Sequence, residues 1–262
     1  MSPASSKTTS LAGPTLARIA VEAARVILPL WRTELAVHTK TDRSPVTEAD
    51  RLAEVLILKR LSQAFPNVPI ISEEDASEFG TPGAIASRFF LVDPLDGTKA
   101  FVRGDPNFTV NIALIENGRP VAGAVAAPPT GEVWYTQQGE ALKRGFDDLD
   151  GLPVHVRPWP GEPAALALIS HTMSSDTLDA LKRDYRFGRS QPLDSSIKLC
   201  RIAEGAADIY PRHGPTMEWD IAAGHAVLEA AGGRLTAPDG RPFDYGKAGD
   251  GFRNGWFVAR GA

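Results

Sequence analysis

The sequence predicts an α/β (α+β) protein with helices layered on sheets and two subdomains. Two observations predict the layering. Apolar residues at helical spacing alternate along the chain with short apolar runs of strand length. Interleaved runs of both kinds imply helices packed on sheets. A third observation predicts the division. The polar stretch Gly145 to Pro153 and the breaker-rich Pro158-Trp159-Pro160-Gly161-Glu162-Pro163 place a boundary near 145–163. The expected organisation is a disordered tail over 1–10, an N-terminal α+β subdomain over 11–150 and a C-terminal α/β subdomain over 151–262.

The elements follow in order. Leu16, Ile19, Ala20, Ala23, Val26, Ile27 and Leu30 fall at i, i+3, i+4, i+7, so residues 14–33 read as a helix that Pro29 kinks or ends early. Ser44 and Pro45 form a turn, and Thr47 caps a second helix running to Phe65. Val68–Ser72 and Phe89–Val92 read as strands. Phe108–Ile115 and Pro120–Ala127 make a hairpin around Asn117-Gly118, and Glu132–Thr136 adds a third strand. Beyond the boundary, strands are expected at Ala165–Ser170, Asp208–Tyr210 and Gly255–Ala259. Helices are expected at Asp176–Tyr185, Ser195–Glu204 and Trp219–Ala231.

Composition excludes several classes. With 28 Lys and Arg against 32 Asp and Glu, the net charge is −4, which argues against a binder that works by neutralising nucleic-acid phosphates. The single cysteine, Cys200, excludes an intrachain disulfide and a cysteine-built metal site, and fits a reducing compartment. No apolar run reaches the ~18 residues of a membrane span, and Met1 to Ser10 has no apolar signal core. The expected location is cytoplasmic, with peripheral attachment at the inner membrane left open.

The strongest chemical signal is Asp93-Pro94-Leu95-Asp96-Gly97-Thr98-Lys99. Phe90, Leu91 and Val92 set Asp93 at a strand end, and Pro94 and Gly97 turn the chain at once. Two carboxylates and the intervening Leu95 carbonyl can then face one locus, as a hard cation such as Mg²⁺ requires. The Gly97 and Thr98 amides can begin a short helix that faces an anion. Taken alone, this turn reads first as a capped strand end. Ser72-Glu73-Glu74-Asp75 is either a solvated loop or a cation site. Glu218-Trp219-Asp220 and Glu48-Ala49-Asp50 read singly as acids favoured at helix N-termini.

Together, Ser44-Pro45-Val46-Thr47-x-Ala49-Asp50, Ser72-Glu73-Glu74-Asp75, Asp93 to Thr98 and Trp219-Asp220-x-Ala222-Ala223-Gly224 resemble the inositol monophosphatase superfamily, over about residues 14–258. The resemblance implies a layered α/β/α/β/α sandwich and a Mg²⁺-dependent, lithium-sensitive phosphomonoesterase. Within the superfamily, the run Phe108 to Ile115, then Asp194 to Cys200, Tyr210-Pro211-Arg212 and Trp219 to Val227 resemble the CysQ-type 3′(2′),5′-bisphosphate nucleotidases. Those enzymes convert adenosine 3′,5′-bisphosphate to AMP in connection with sulfate assimilation.

By that resemblance Glu73, Asp93, the Leu95 carbonyl, Asp96 and Asp220 hold two or three Mg²⁺, with Glu73 serving the water-activating one. Thr98, held by Asp50, orients the attacking water. The Gly97 and Thr98 amides bind phosphate oxygens. Ser195, Lys198 and Arg212 bind the nucleotide or its unreacting phosphate, and His171 contacts the base or sugar. Inositol monophosphatases carry a Glu near position 213, where this chain has Arg212-His213. That difference favours a bisphosphate substrate. Glu74 and Asp75 are expected outside direct ligation, Lys99 exposed, His225 in packing and Trp219 as a core anchor. Other members of the superfamily, acting on inositol-1-phosphate, histidinol phosphate or fructose-1,6-bisphosphate, are the first alternative. A non-catalytic metal- or nucleotide-binding regulator is the second.

Overall fold

The computed structural model describes residues 3–33, 37–39 and 45–262, and for 3–11, 39, 45 and 46 the backbone alone. Ser44, assigned to the turn before the second helix, lies outside the described residues. Helix α1 spans Pro3–Ile27, and Leu28–Leu30 closes it as a 3-10 turn containing Pro29, the early end the sequence predicts. Residues 3–10 are therefore helical where a disordered tail is expected. No breaker separates Ala4 from Ala12, and Pro3 is tolerated in a first turn because its missing N–H has no partner there.

The short strands β1 (His38–Thr39) and β2 (Pro45–Val46) pair antiparallel. Helix α2 (Glu48–Ala64) starts at a capping box. Thr47 Oγ1 accepts from Ala49 N, and Asp50 Oδ2 accepts from Thr47 N at 2.8 Å.

A seven-stranded sheet follows, built from β3 (Ile70–Ser72), β4 (Arg88–Asp96), β5 (Thr109–Glu116), β6 (Arg119–Ala127), β7 (Glu132–Gln137), β8 (Glu140–Gly145) and β9 (Leu152–Pro153), in that spatial order. Only β3 and β4 are parallel, and the short helix α3 (Glu73–Phe79) lies in their connection. Helix α4 (Thr98–Arg103) joins β4 to β5. Asn117 (φ 49°) and Gly118 (φ 77°) both take the left-handed conformation that the predicted hairpin turn needs.

The second sheet has five strands: β10 (Leu166–Ile169), β11 (Arg189–Pro192), β12 (Ile209–Arg212), β13 (Arg234–Thr236) and β14 (Phe257–Arg260), ordered β11-β10-β12-β14-β13. Helix α5 (Ser175–Tyr185) packs on one face through Leu181 and Leu178. Helices α6 (Ile197–Ala203) and α7 (Glu218–Ala230) lie between the sheets.

The layers are thus α1 and α2, the large sheet, α6 and α7, the small sheet, and α5. The alternation of β4 shows why. Phe90 and Val92 enter the core under α1 and α2, while Phe89 and Leu91 enter the core shared with α7. Helix α7 comes down on β6 at Gly123, where a Cβ would meet the Ala223 carbonyl at 2.5 Å. That close approach seats the helix whose first turn carries Asp220.

Several elements were not anticipated. β11 is an exposed polar edge strand, Arg189-Ser190-Gln191-Pro192, with no apolar alternation to betray it. α3 hides behind the acidic run at its start. β8 and β9 extend the first sheet to Pro153, so the change between sheets falls between Pro153 and Leu166, within the breaker-rich stretch.

Candidate active site

The site gathers at the ends of three elements on the α7 side of the large sheet. Asp93 follows Leu91 on that face of β4, and its Oδ1 accepts from Leu95 N at 3.0 Å in a tight Asx turn. Glu73 opens α3 immediately after β3. Asp220 sits in the first turn of α7, and its Oδ2 accepts from Met217 N at 2.8 Å. One carboxylate oxygen from each of Glu73, Asp93 and Asp220 lies within 4.8 Å of the others.

Three such charges repel. At an effective dielectric of about 20, each pair costs roughly 3–4 kcal/mol. The electrostatics reflect this. Burial pushes the Asp220 carboxyl well above the usual range, and Asp96 and Glu73 push it further. Burial also raises Asp96, and Glu73 adds to the effect, while Lys198 and the Ser196 amide oppose it. An all-oxygen, partly buried, self-repelling donor set fits a hard divalent cation, whose charge removes the repulsion.

Asp96 is not in the triad. Its Oδ2 accepts from Ser196 N and, at 3.5 Å, from the Thr109 hydroxyl, tying β4 to the start of α6. Register explains the arrangement, because β5 sets Thr109 opposite Asp96 and Asn111 opposite Asp93 across a bulge. Thr109 and Asn111 are fully buried polar residues in an apolar strand. Asn111 Oδ1 accepts from Ser196 Oγ at 2.7 Å, and the Thr109 and Ser196 hydroxyls lie 2.8 Å apart. No local sequence pattern gives Thr109, Asn111 or Ser196 a role. Their signal was polarity inside a strand that otherwise reads as core.

Gly97 turns the chain into α4 at φ 98°, and a Cβ there would meet the Asn107 carbonyl at 2.8 Å, so both conformation and space call for glycine. Thr98 follows as the first residue of α4. Its hydroxyl lies 3.1 Å from Asp50 Oδ1 and 3.1 Å from the Leu95 carbonyl. Leu95 itself is buried. Lys99 is exposed, and so is Asp75, while Glu74 is buried. Neither Glu74 nor Asp75 joins the triad. The Asp75 amide donates to Glu54 Oε1 at 3.2 Å.

The small-sheet side brings cations. Lys198 is 4% exposed, which rules out a surface charge. Its amine donates to the Leu193 and Ser195 carbonyls at 2.9 and 2.7 Å, and burial pushes its pKa down to about 8. Ser195 is held at φ 60°, with its hydroxyl 3.3 Å from that of Thr109. Arg212 donates to the Pro215 carbonyl at 3.1 Å, and its Nε is buried without a hydrogen-bond partner. His171 Nδ1 lies 3.0 Å from Asp194 Oδ1, and Arg103 of α4 reaches Asp194 Oδ2 at 3.1 Å, linking the two halves of the molecule. His225 is buried between the Tyr245 hydroxyl at 2.8 Å and Glu229 at 3.0 Å, a packing position as expected. Trp219 is buried in the inter-sheet core, also as expected.

The sequence matches the inositol monophosphatase family over residues 14–255. The chain belongs to this family. Among curated members, it is 40% identical to the 3′(2′),5′-bisphosphate nucleotidase CysQ of Salmonella typhimurium, over 79% of this chain and 81% of that protein. It is 39% identical to the CysQ of Escherichia coli K12, over 80% of this chain and 82% of that one. Among solved structures, CysQ from Bacteroides thetaiotaomicron superposes with a TM-score of 0.74 at 29% identity, covering 94% of this chain and 96% of its own. An inositol monophosphatase from Zymomonas mobilis superposes with a TM-score of 0.75 at 26% identity, covering 99% and 94%. The layered family sandwich expected from the motifs is the fold observed. No helix among the described residues is long and apolar enough to cross a membrane.

Proposed function

We propose that the protein is a Mg²⁺-dependent 3′(2′),5′-bisphosphate nucleotidase. It removes the 3′-phosphate of adenosine 3′,5′-bisphosphate, leaving AMP and phosphate, in the cytoplasm and in connection with sulfate assimilation. Residues 11–150 and 151–262 act as its two subdomains, the first carrying most of the metal site and the second the substrate contacts. The observation that carries the reading is a carboxylate triad, with Asp93 buried and Glu73 and Asp220 half-buried, beside the buried Lys198 and the half-buried Arg212. Glu73, Asp93 and Asp220 converge within 4.8 Å. The charges of Lys198 and Arg212 are both felt at this site, the first by Asp96 and the second by Asp220. A substrate with one phosphate to cleave and one to hold suits both halves. The identity to enzymes named CysQ supports the same choice.

Glu73, Asp93, Asp96, Asp220 and the Leu95 carbonyl would hold two or three Mg²⁺. Bound there, the cations neutralise the phosphate dianion and lower the pKa of the attacking water. The chain's own residues position the rest. The Thr98 hydroxyl, donating to Asp50, keeps its lone pairs for that water and fixes its direction of attack. The Gly97 and Thr98 amides accommodate oxygens of the scissile phosphate. The buried Arg212 Nε has a donor to spare, and with Lys198 and Ser195 it holds the phosphate that does not react. His171, braced by Asp194, stands at the sugar or base.

The test is phosphate release from adenosine 3′,5′-bisphosphate, inositol-1-phosphate, histidinol phosphate and fructose-1,6-bisphosphate, each with Mg²⁺ present and chelated. The nucleotide is expected to turn over with the highest kcat/KM, and only with the cation. Preference for inositol-1-phosphate would overturn the substrate, and turnover under chelation would overturn the metal site.

A further inference from the structure

The outer face of the small sheet carries a second cluster of charge. Strand β14 alternates, with Phe257 and Ala259 in the inter-sheet core and Val258 turned to the other side, into the core beneath α5. Arg260 continues that outward set. Helix α5 covers only part of this face. Beside it opens a cleft of 530 Å³, lined by Trp159, Asp184, Tyr185, Arg186, Arg234 and Arg260 among others.

Arg234 and Arg260 are direct cross-strand partners in the β13–β14 ladder. Like charges placed directly opposite destabilise a sheet. No ion pair of either arginine with a carboxylate is found among the described residues, whereas Arg186 lies 3.7 Å from Glu162. The Nε of Arg260 is buried and has no hydrogen-bond partner. A buried donor without an acceptor costs free energy that an anionic ligand would recover. The cleft is separate from the active site. Arg260 pairs with Ile209 at the start of β12, while Arg212 lies at its other end, opposite Phe257.

We propose that this cleft is a second ligand site, taking a small molecule that bears a phosphate or sulfate group. The guanidinium forks of Arg234 and Arg260 grip the oxyanion, and Trp159 and Tyr185 offer aromatic surface to the remainder. The proposal does not depend on the substrate assigned to the active site.

Phenylglyoxal labelling of arginines on the full-length, Mg²⁺-loaded protein, mapped by mass spectrometry, tests it. The probes are inorganic phosphate and phenylphosphonate, with chloride at equal ionic strength as control. Both probes are expected to protect Arg234 and Arg260, and chloride is not. Protection of Arg212 in the same sample reports the active site independently. In Arg260→Gln, the concentration that half-protects Arg234 should rise roughly tenfold or more, the loss of one charge-assisted contact. Arg234→Gln, at an exposed position, should weaken protection of Arg260 likewise. Stronger protection by phenylphosphonate than by phosphate identifies a ligand whose remainder packs on the aromatic surface, and equal protection the free anion. Both outcomes sustain the site. Protection no greater than with chloride, or unchanged in both variants, overturns it.

Discussion

The Thr98 hydroxyl stands 3.1 Å from Asp50 Oδ1 and 3.1 Å from the Leu95 carbonyl. A hydroxyl has one proton, so it can serve only one of the two acceptors at a time. If the Leu95 carbonyl is committed to a cation, the proton goes to Asp50 and the lone pairs turn to the site. Thr98→Ala should then lower kcat by about 10²–10⁴-fold with little change in KM, the signature of a positioning role in the transition state. Steady-state kinetics decide this. A change confined to KM would assign Thr98 to phosphate binding alone.

Asp50 has a structural duty as well. Its Oδ2 accepts from both the amide and the hydroxyl of Thr47, closing the cap of α2. Asp50→Ala should therefore lose activity as Thr98→Ala does and also lose about 0.5–2 kcal/mol of stability. Denaturant unfolding of the two variants separates the roles. Equal stability of both would show that the cap contributes nothing.

Asp96→Asn and Asp220→Asn should abolish phosphate release while the fold survives, because an amide oxygen can still accept from Ser196 N or Met217 N. Without cation, Asp220→Asn should unfold at the same or a higher temperature than the wild type, since one repelling charge is gone. Mg²⁺ should raise the melting temperature of the wild type and much less that of the variant. Full activity in either variant removes that residue from the metal site.

Arg212→Ala should reduce kcat/KM on adenosine 3′,5′-bisphosphate by roughly 10–150-fold, the worth of one charge-assisted hydrogen bond. On 3′-AMP or inositol-1-phosphate, which lack the second phosphate, the loss should be small. The ratio of the two losses is the quantity to measure. Equal losses would place Arg212 on the scissile phosphate.

His225 makes a pH prediction. Burial holds its imidazole below the ordinary value of 6.5, although Glu229 opposes the effect. Below pH 6.5 the unfolded chain then binds a proton that the folded one refuses, so stability falls as pH drops from 6.5 towards the folded pKa. Glu229 is held below its own ordinary 4.5, so its contribution is lost only at lower pH. Melting temperatures of His225→Gln should be flatter than those of the wild type just below pH 6.5. Identical slopes would mean that His225 takes up its proton in the fold as readily as in the unfolded chain.

Much of this molecule is written locally. The 3.6-residue spacing of Leu16 to Ile27, the Thr47–Asp50 cap, Asn117-Gly118 and the Asp93 to Thr98 turn depend on a few neighbouring residues, and each is found where its pattern puts it. The four acidic motifs likewise carry their family likeness in order and spacing alone. What they do together is another matter. Glu73, Asp93 and Asp220 are far apart in sequence, and taken singly they read as part of a solvated loop or cation site, as a strand-end turn and as a helix-start acid. Only the seating of α7 on Gly123 brings Asp220 to the end of β4, because carboxylate repulsion and cation affinity depend on distance in space. The same holds for Lys198, whose burial and lowered pKa come from the packing of α6 between two sheets, and for Arg234 and Arg260, set opposite each other by the register of the antiparallel β13–β14 pair at the sheet edge. Local geometry is legible because its forces act over a few residues. Burial, register and electrostatic coupling are not, because they are decided by which distant surfaces meet.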